Sequence, residues 1–214
     1  MKKRVLSIVM AMALCVGLLP GTARAAVTAG DFASLKSEAE AANAAVTVPA
    51  GTYDGNSGTI TLPSGVSLTI ASGQTVTLKN MTIKAGSNYS TAYTKIANYG
   101  TLTMENVNVV GDADTSYGGR GLANLGTAIL KSCNFYQNNA TGNTGLTNPG
   151  SYATRGGGIY TAGPTLILDS CSFRNNTNVG NYGGAVAVLG SNHVLYANNT
   201  VFSGNTSGSN VNGK

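Results

Sequence analysis

Gly100-Thr101-Leu102-Thr103-Met104-Glu105-Asn106-Val107-Asn108-Val109 is followed 26 residues later by Gly126-Thr127-Ala128-Ile129-Leu130-Lys131-Ser132-Cys133-Asn134-Phe135. Both stretches alternate apolar and polar residues, pass through one small polar residue (Asn106 or Ser132), and close on an apolar anchor. The same pattern starts at Gly73-Gln74-Thr75-Val76-Thr77-Leu78 and at Gly163-Pro164-Thr165-Leu166-Ile167-Leu168. The anchors Ile83, Val109, Phe135, Phe173 and Phe202 are spaced 26, 26, 38 and 29 residues apart. The longer steps require inserted loops, and Asn139 to Arg155 is one. Alternation means strands, and a fixed period of this size means stacked copies of one small unit.

A different strand precedes each unit. Ile96-Ala97-Asn98-Tyr99-Gly100, Leu122-Ala123-Asn124-Leu125-Gly126, Ile159-Tyr160-Thr161-Ala162-Gly163 and Val186-Ala187-Val188-Leu189-Gly190 align at steps of 26, 37 and 27. The last three follow Gly118-Gly119, Gly156-Gly157-Gly158 and Gly183-Gly184. Too few residues remain between strands for crossover helices, so the reading is an all-β solenoid, a parallel β-helix with three short strands per coil. Ile96, Leu122, Ile159 and Val186 stack inside it, as do the anchors. Asn80, Asn106, Ser132, Ser170 and Asn199 share a short turn, where Asn tolerates left-handed backbone. Asp112, Asn138, Asn176 and Asn205 form a second polar column. An outward column, Lys79, Glu105, Lys131, Asp169, alternates in sign and predicts a surface charge ladder. Ser34 to Asn43 has helical spacing (Leu35, Ala39, Ala42) and is expected to cap the open N-terminal end.

The N-terminus reads as a targeting segment. Lys2, Lys3 and Arg4 precede an apolar run from Val5 to Leu19, and Ala23-Arg24-Ala25 supplies a small–x–small cleavage pattern. The organisation expected is therefore 1–25 signal peptide, 26–45 cap helix region, 46–206 parallel β-helix and 207–214 polar uncapped tail. Four of the 13 basic residues leave with the signal, so nine face the 8 acidic residues and the net charge falls from +5 to +1. That balance argues against nucleic-acid binding and against adhesion to an anionic membrane. No second apolar run follows, so the mature chain has no membrane span. Cys133 and Cys171 take equivalent places in consecutive coils and are read as a reduced interior stack, because in-register parallel neighbours seldom reach disulfide torsion.

Val46-Thr47-Val48-Pro49-Ala50-Gly51-Thr52-Tyr53, following a short helix, resembles the first coil of the pectin-lyase-like superfamily of right-handed parallel β-helices. The later coils resemble repeats of polymorphic outer-membrane proteins and related bacterial surface proteins, in which a Gly-Gly-x-Ile element alternates with a Phe-x-x-Asn element. The matches are Gly157-Gly158-Ile159 and Gly183-Gly184-Ala185-Val186, with Phe135 to Asn138, Phe173 to Asn176 and Phe202 to Asn205. The resemblance covers roughly residues 30–210 and implies a single-stranded right-handed coil with a secreted or cell-surface setting in a bacterium. It says little about activity, because such solenoids host lyases, hydrolases, adhesins and passive stalks.

Hydrolases of that superfamily resemble one another in an Asn-x-Asp, Asp-Asp, Gly-His-Gly and Arg-x-Lys set. This chain lacks the adjacent Asp pair, the Gly-His-Gly and the Arg-x-Lys, and its single histidine, His193, reads as a turn residue. Lyases of the superfamily use acidic Ca²⁺ ligands with an Arg or Lys base beside the first strand of each coil. The corresponding face here is expected to expose Lys95, Ala97, Ala123, Gly158, Tyr160, Ala185 and Ala187, without a carboxylate column to hold a hard cation. The remaining catalytic candidates are Asp112, Asp114, Arg120 and Lys95, with Ca²⁺ as a cofactor only on that lyase reading. No metal site is expected from the two cysteines. Tyr117, Tyr136, Tyr152 and Tyr182 lie on or beside the variable loops and are the binding candidates for a sugar or a protein partner. The expected function is therefore non-catalytic adhesion or carbohydrate and partner binding, with an unusual polysaccharide lyase as the alternative. The polar, glycine-rich Thr206–Lys214 continues no strand, which suggests an open coil end, end-to-end association there, and a longer repeat protein.

Overall fold

A computed structural model describes residues 26–90, 93–112, 119–140, 156–178, 183–190 and 193–208. The chain enters through one helix, α1 (Phe32–Ala41), and then winds as strands only. Asp31 starts the helix two residues earlier than the apolar spacing predicts, because its side chain accepts the Ala33 N–H at 3.0 Å. Leu35 and Ala39 are buried as expected. The helix closes the N-terminal end of the core and also attends to the strand edge beneath it.

The early coils are β1 (Val46–Thr47), β2 (Gly51–Leu62), β3 (Leu68–Ile70), β4 (Thr75–Ala85), β5 (Thr94–Asn98) and β6 (Thr101–Val110). The later coils are β7 (Arg120–Asn124), β8 (Thr127–Lys131), β9 (Asn134–Tyr136), β10 (Asn139–Ala140), β11 (Ile159–Thr161), β12 (Thr165–Asp169), β13 (Ser172–Arg174) and β14 (Thr177–Asn178). The last described coil contains β15 (Val186–Val188), β16 (Val194–Asn198), β17 (Val201–Ser203) and β18 (Thr206–Ser207). All pairings are parallel, between one coil and the next. One six-stranded sheet runs β1-β3-β5-β7-β11-β15, and its register stacks Val46, Leu68, Ile96, Leu122, Ile159 and Val186 in one column. The sequence alignment of these strands is thus the physical register.

The second and third strands of each repeat belong to one sheet, bent at the small polar residue. In the early coils they form single long strands, β2, β4 and β6. In the later coils they separate into β8/β9, β12/β13 and β16/β17. A third, short sheet, β10-β14-β18, stands where the sequence shows only a polar column. The bend has a local cause. Asn80, Asn106, Ser132, Ser170 and Asn199 all adopt left-handed backbone, with φ between 46° and 56°. Asn106 Nδ2 donates to Asn80 Oδ1 at 3.1 Å, and Asn80 Nδ2 to Asp54 Oδ1 at 3.0 Å, so the turn column also bonds coil to coil.

The core is the set of inward columns. Ile60, Ile83, Val109, Phe135, Phe173 and Phe202 lie in register. The Phe135 and Phe173 rings stack at 5.0 Å and those of Phe173 and Phe202 at 5.2 Å, each pair nearly parallel. Such contacts contribute roughly 0.5–1.5 kcal/mol beyond area burial. The glycine-rich entries are required by close backbone approach. Gly156 and Gly183 adopt φ of +62° and +45°, and a Cβ on either would sit 2.0 Å from a neighbouring carbonyl oxygen. Cys133 and Cys171 are buried free thiols in the column below Met81 and Val107. A hydrogen bond to Cys171, reinforced by burial, holds the Cys133 thiol well above the usual thiol range.

The outward charge column extends one coil further than the sequence reading found. Asp54, Lys79, Glu105, Lys131 and Asp169 are successive register partners. It closes into ion pairs at Lys79–Asp54 (3.3 Å) and Lys131–Glu105 (3.6 Å).

Candidate functional site

The strands β9 and β13 each place a phenylalanine inside and its two neighbours outside. Asn134 and Tyr136 therefore lie beside Ser172 and Arg174 on the surface, with Tyr136 and Arg174 as direct register partners. Tyr136 is 39% exposed. Arg174 Nε donates to Ser172 Oγ at 2.9 Å, which orients the guanidinium along the sheet, and Asn134 Nδ2 donates to Asn108 Oδ1 at 2.9 Å. These four side chains line an open cleft of about 450 Å³. A ring face, a cation, a hydroxyl and a carboxamide are thereby fixed on a rigid sheet.

Past the tight turn at Gln137 and Asn175, both left-handed at φ 53°, lies a second cleft of about 290 Å³. Asp112, Gln137, Asn139, Asn175, Thr177 and Thr206 are among the residues that line it. Asn139 is 2% exposed, and among the described residues neither atom of its carboxamide has a hydrogen-bond partner. A buried amide left unsatisfied costs on the order of 1–3 kcal/mol, so this group is suited to a polar guest.

Beneath this cleft the interior asparagine column forms a ladder. Asn138 Nδ2 donates to Asn176 Oδ1 and Asn176 Nδ2 to Asn205 Oδ1, both at 2.9 Å. The open end of the ladder is met by Lys95, whose Nζ donates to Asn138 Oδ1 at 3.0 Å and to Gly119 O at 3.1 Å. This lysine lies over the Tyr89 ring, 5.3 Å from its centroid. Desolvation lowers its ammonium pKa to about 7, opposed in part by the charge of Asp112.

The face expected to be exposed beside the first strands is instead enclosed. Lys95 and Tyr160 are fully buried, and Ala97, Ala123, Ala185 and Ala187 are nearly so. Lys95 is turned toward the interior ladder, and Gly158 and Ala185 also belong to the core side. A Cβ on Gly158 would come within 3.0 Å of the Phe173 ring. Arg120 is buried as well; its Nε donates to Gly156 O at 3.2 Å and its guanidinium lies 5.5 Å from the centre of the Tyr160 ring. Of the catalytic candidates, the structure thus places Lys95 and Arg120 inside and Asp112 at the rim of the second cleft. Asp114 and the tyrosines Tyr117, Tyr152 and Tyr182 lie outside the described residues, as does the 1–25 segment. His193 sits before β16 with Nδ1 2.6 Å from Gly163 O. Among the described residues, no three His, Cys, Asp or Glu side chains converge to hold a metal, and no helix is long and apolar enough to cross a membrane.

Sequence reasoning selected Tyr136 but missed Arg174 and Asn139. The signal for Arg174 was available: both residues follow an anchor phenylalanine directly, so register makes them neighbours. No protein-family model, curated protein or solved structure is significantly similar to the chain.

Proposed function

We propose that this chain is a non-catalytic binding solenoid of a bacterial exterior, secreted or held at the cell surface, that holds a carbohydrate along β9 and β13. The single observation that carries this reading is the pairing of exposed Tyr136 with Arg174 on the outer face of a rigid sheet. An aromatic ring offers a sugar ring its flat face, and a guanidinium offers paired donors to a carboxylate. The neighbouring cleft supplies further amides and hydroxyls from Gln137, Asn139, Asn175, Thr177 and Thr206. An acidic oligosaccharide, such as one containing uronate, matches this set best. The kinship with pectin-lyase-like β-helices and with bacterial surface repeats belongs to the same proposal. It is supported by the Gly-Gly-x-Ile and Phe-x-x-Asn elements and by their roles in the coil.

The lyase alternative draws less support, because a substrate would have to reach Lys95 and Arg120 beneath the surface. The test is a glycan array followed by titration calorimetry on the bound acidic glycans. Tyr136→Ala and Arg174→Ala should each weaken binding about tenfold, a loss of ~1.4 kcal/mol. Unchanged affinity in both variants would remove this surface from consideration. Release of unsaturated uronates by the wild type, abolished by Arg120→Ala, would favour the lyase instead.

A further inference from the structure

We propose that Lys95 and Asn138 become joined by an intramolecular isopeptide bond, formed by the folded chain itself with Asp112 as the proton carrier. The amine and the carboxamide are in direct contact inside the coil. Lys95 Nζ is 3.0 Å from Asn138 Oδ1, and both residues are fully buried. The carboxamide cannot swing away, because its Nδ2 donates to Val109 O and to Asn176 Oδ1, each at 2.9 Å. Contact imposed by the fold turns a slow encounter into an intramolecular reaction once the amine moves from Oδ1 to face Cγ. Asp112 lines the same cleft as Asn138, and its carboxylate acts electrostatically on Lys95. Among the described residues, the groups facing the amine include Asp112, the Tyr89 ring, the Gly119 carbonyl and the Asn138 amide. Burial supplies the nucleophile, since an amine whose pKa falls to about 7 is substantially neutral at neutral pH.

In this step Lys95 Nζ attacks Asn138 Cγ, a new N–C bond forms, and the Cγ–Nδ2 bond breaks. Of the neutral amine's two protons, one stays on the new amide. The other passes through the Asp112 carboxylate to the departing nitrogen, which leaves as ammonia by way of the cleft. No oxidant or reductant is involved. The ladder keeps a donor at this rung, because the Asn138 backbone N–H also reaches Asn176 Oδ1 at 3.0 Å. The bond would staple the coil carrying β5 to the coil carrying β9 and β10, across 43 residues of sequence.

Intact-mass spectrometry of the folded wild-type chain tests this. The expected mass is that of the sequence less one ammonia, with a digest yielding the Lys95 peptide linked to the Asn138 peptide. Asp112→Ala should fold with the same β-rich circular dichroism and retain the full sequence mass. A folded wild type at full sequence mass overturns the proposal. So does ammonia loss mapped elsewhere, for example to Asn212-Gly213, where succinimide formation releases the same molecule. If Asp112→Ala does not fold, the wild-type mass and peptide map decide alone; if it folds and still cross-links, the role given to Asp112 is wrong.

Discussion

At the scale of single residues, the turn column shows why composition and conformation coincide. A left-handed residue recurs once per coil between the two limbs of the bent sheet, and Asn or Ser occupies it in five successive coils. Asn106→Gly should therefore be tolerated within a few tenths of a kcal/mol. Asn106→Val, which forces a β-branched residue into the same φ, should cost roughly 1–2 kcal/mol. Urea unfolding of the two variants measures the difference, and equal midpoints would refute the strain argument. This column was legible in the sequence because asparagine is one of few residues that tolerate such backbone. The Asn98–Asn124–Thr161 chain of hydrogen bonds, in which Asn98 Nδ2 reaches Asn124 Oδ1 at 2.7 Å and Asn124 Nδ2 reaches Thr161 Oγ1 at 3.0 Å, is not displayed by the strand pattern. Lys95 lies inside rather than on the outer face for a related reason. A lysine beside a strand of alternating pattern reads as outward, and only the packed structure shows that the end of the asparagine ladder draws it inward.

At the scale of elements, the helix α1 does more than cover apolar surface. Edge strands present unpaired backbone groups, and here the cap supplies partners for them. Lys36 Nζ donates to Thr59 O at 2.6 Å, while Glu40 Oε1 accepts the Thr61 N–H at 2.8 Å and the Lys36 ammonium at 2.5 Å. Burial opposes the Glu40 charge, but the Lys36 and Thr61 hydrogen bonds outweigh it and lower its pKa. Its contribution is therefore present above the ordinary carboxylate range and is lost as pH falls through the lowered value. Replacing both residues, as in Lys36→Ala with Glu40→Ala, should destabilise the fold by about 1–3 kcal/mol and speed hydrogen exchange first in β2. Exchange that stays slow at Thr59 to Leu62 would show that the cap merely sits there. The periodic spacing revealed the existence of this helix but not its start, which Asp31 sets. Likewise, the merging of two predicted strands into one bent sheet is a matter of pairing between coils, which a linear pattern does not display.

At the scale of the whole molecule, the first coil and the last described coil differ. The N-terminal end is capped, whereas the last described coil leaves its inward residues open: Leu195, register partner of buried Leu166, is 46% exposed and Phe202 50%. No charged side chain stands on β16, β17 or β18, and Asn198 takes the place filled by Asp or by Lys or Glu in the coils before it. An apolar, uncharged strand edge associates readily, so residues 26–214 should self-associate in a concentration-dependent way. Phe202→Asp with Leu195→Lys should shift sedimentation toward the monomer, and a wild type that stays monomeric at high concentration would contradict this. Of the architecture, the coil period and register were legible because each column must be filled by residues of one kind. The site was less so, since it depends on which loops and outward side chains meet, information carried by three-dimensional neighbours. Everything rests on residues one coil apart lying directly over each other, and a crystal structure of residues 26–214 measures that most directly. The account predicts the rings of Phe135, Phe173 and Phe202 in a single parallel stack, with successive centroids 5.0 and 5.2 Å apart. Rings found in separate layers, or a helix packed between successive strands, would contradict it.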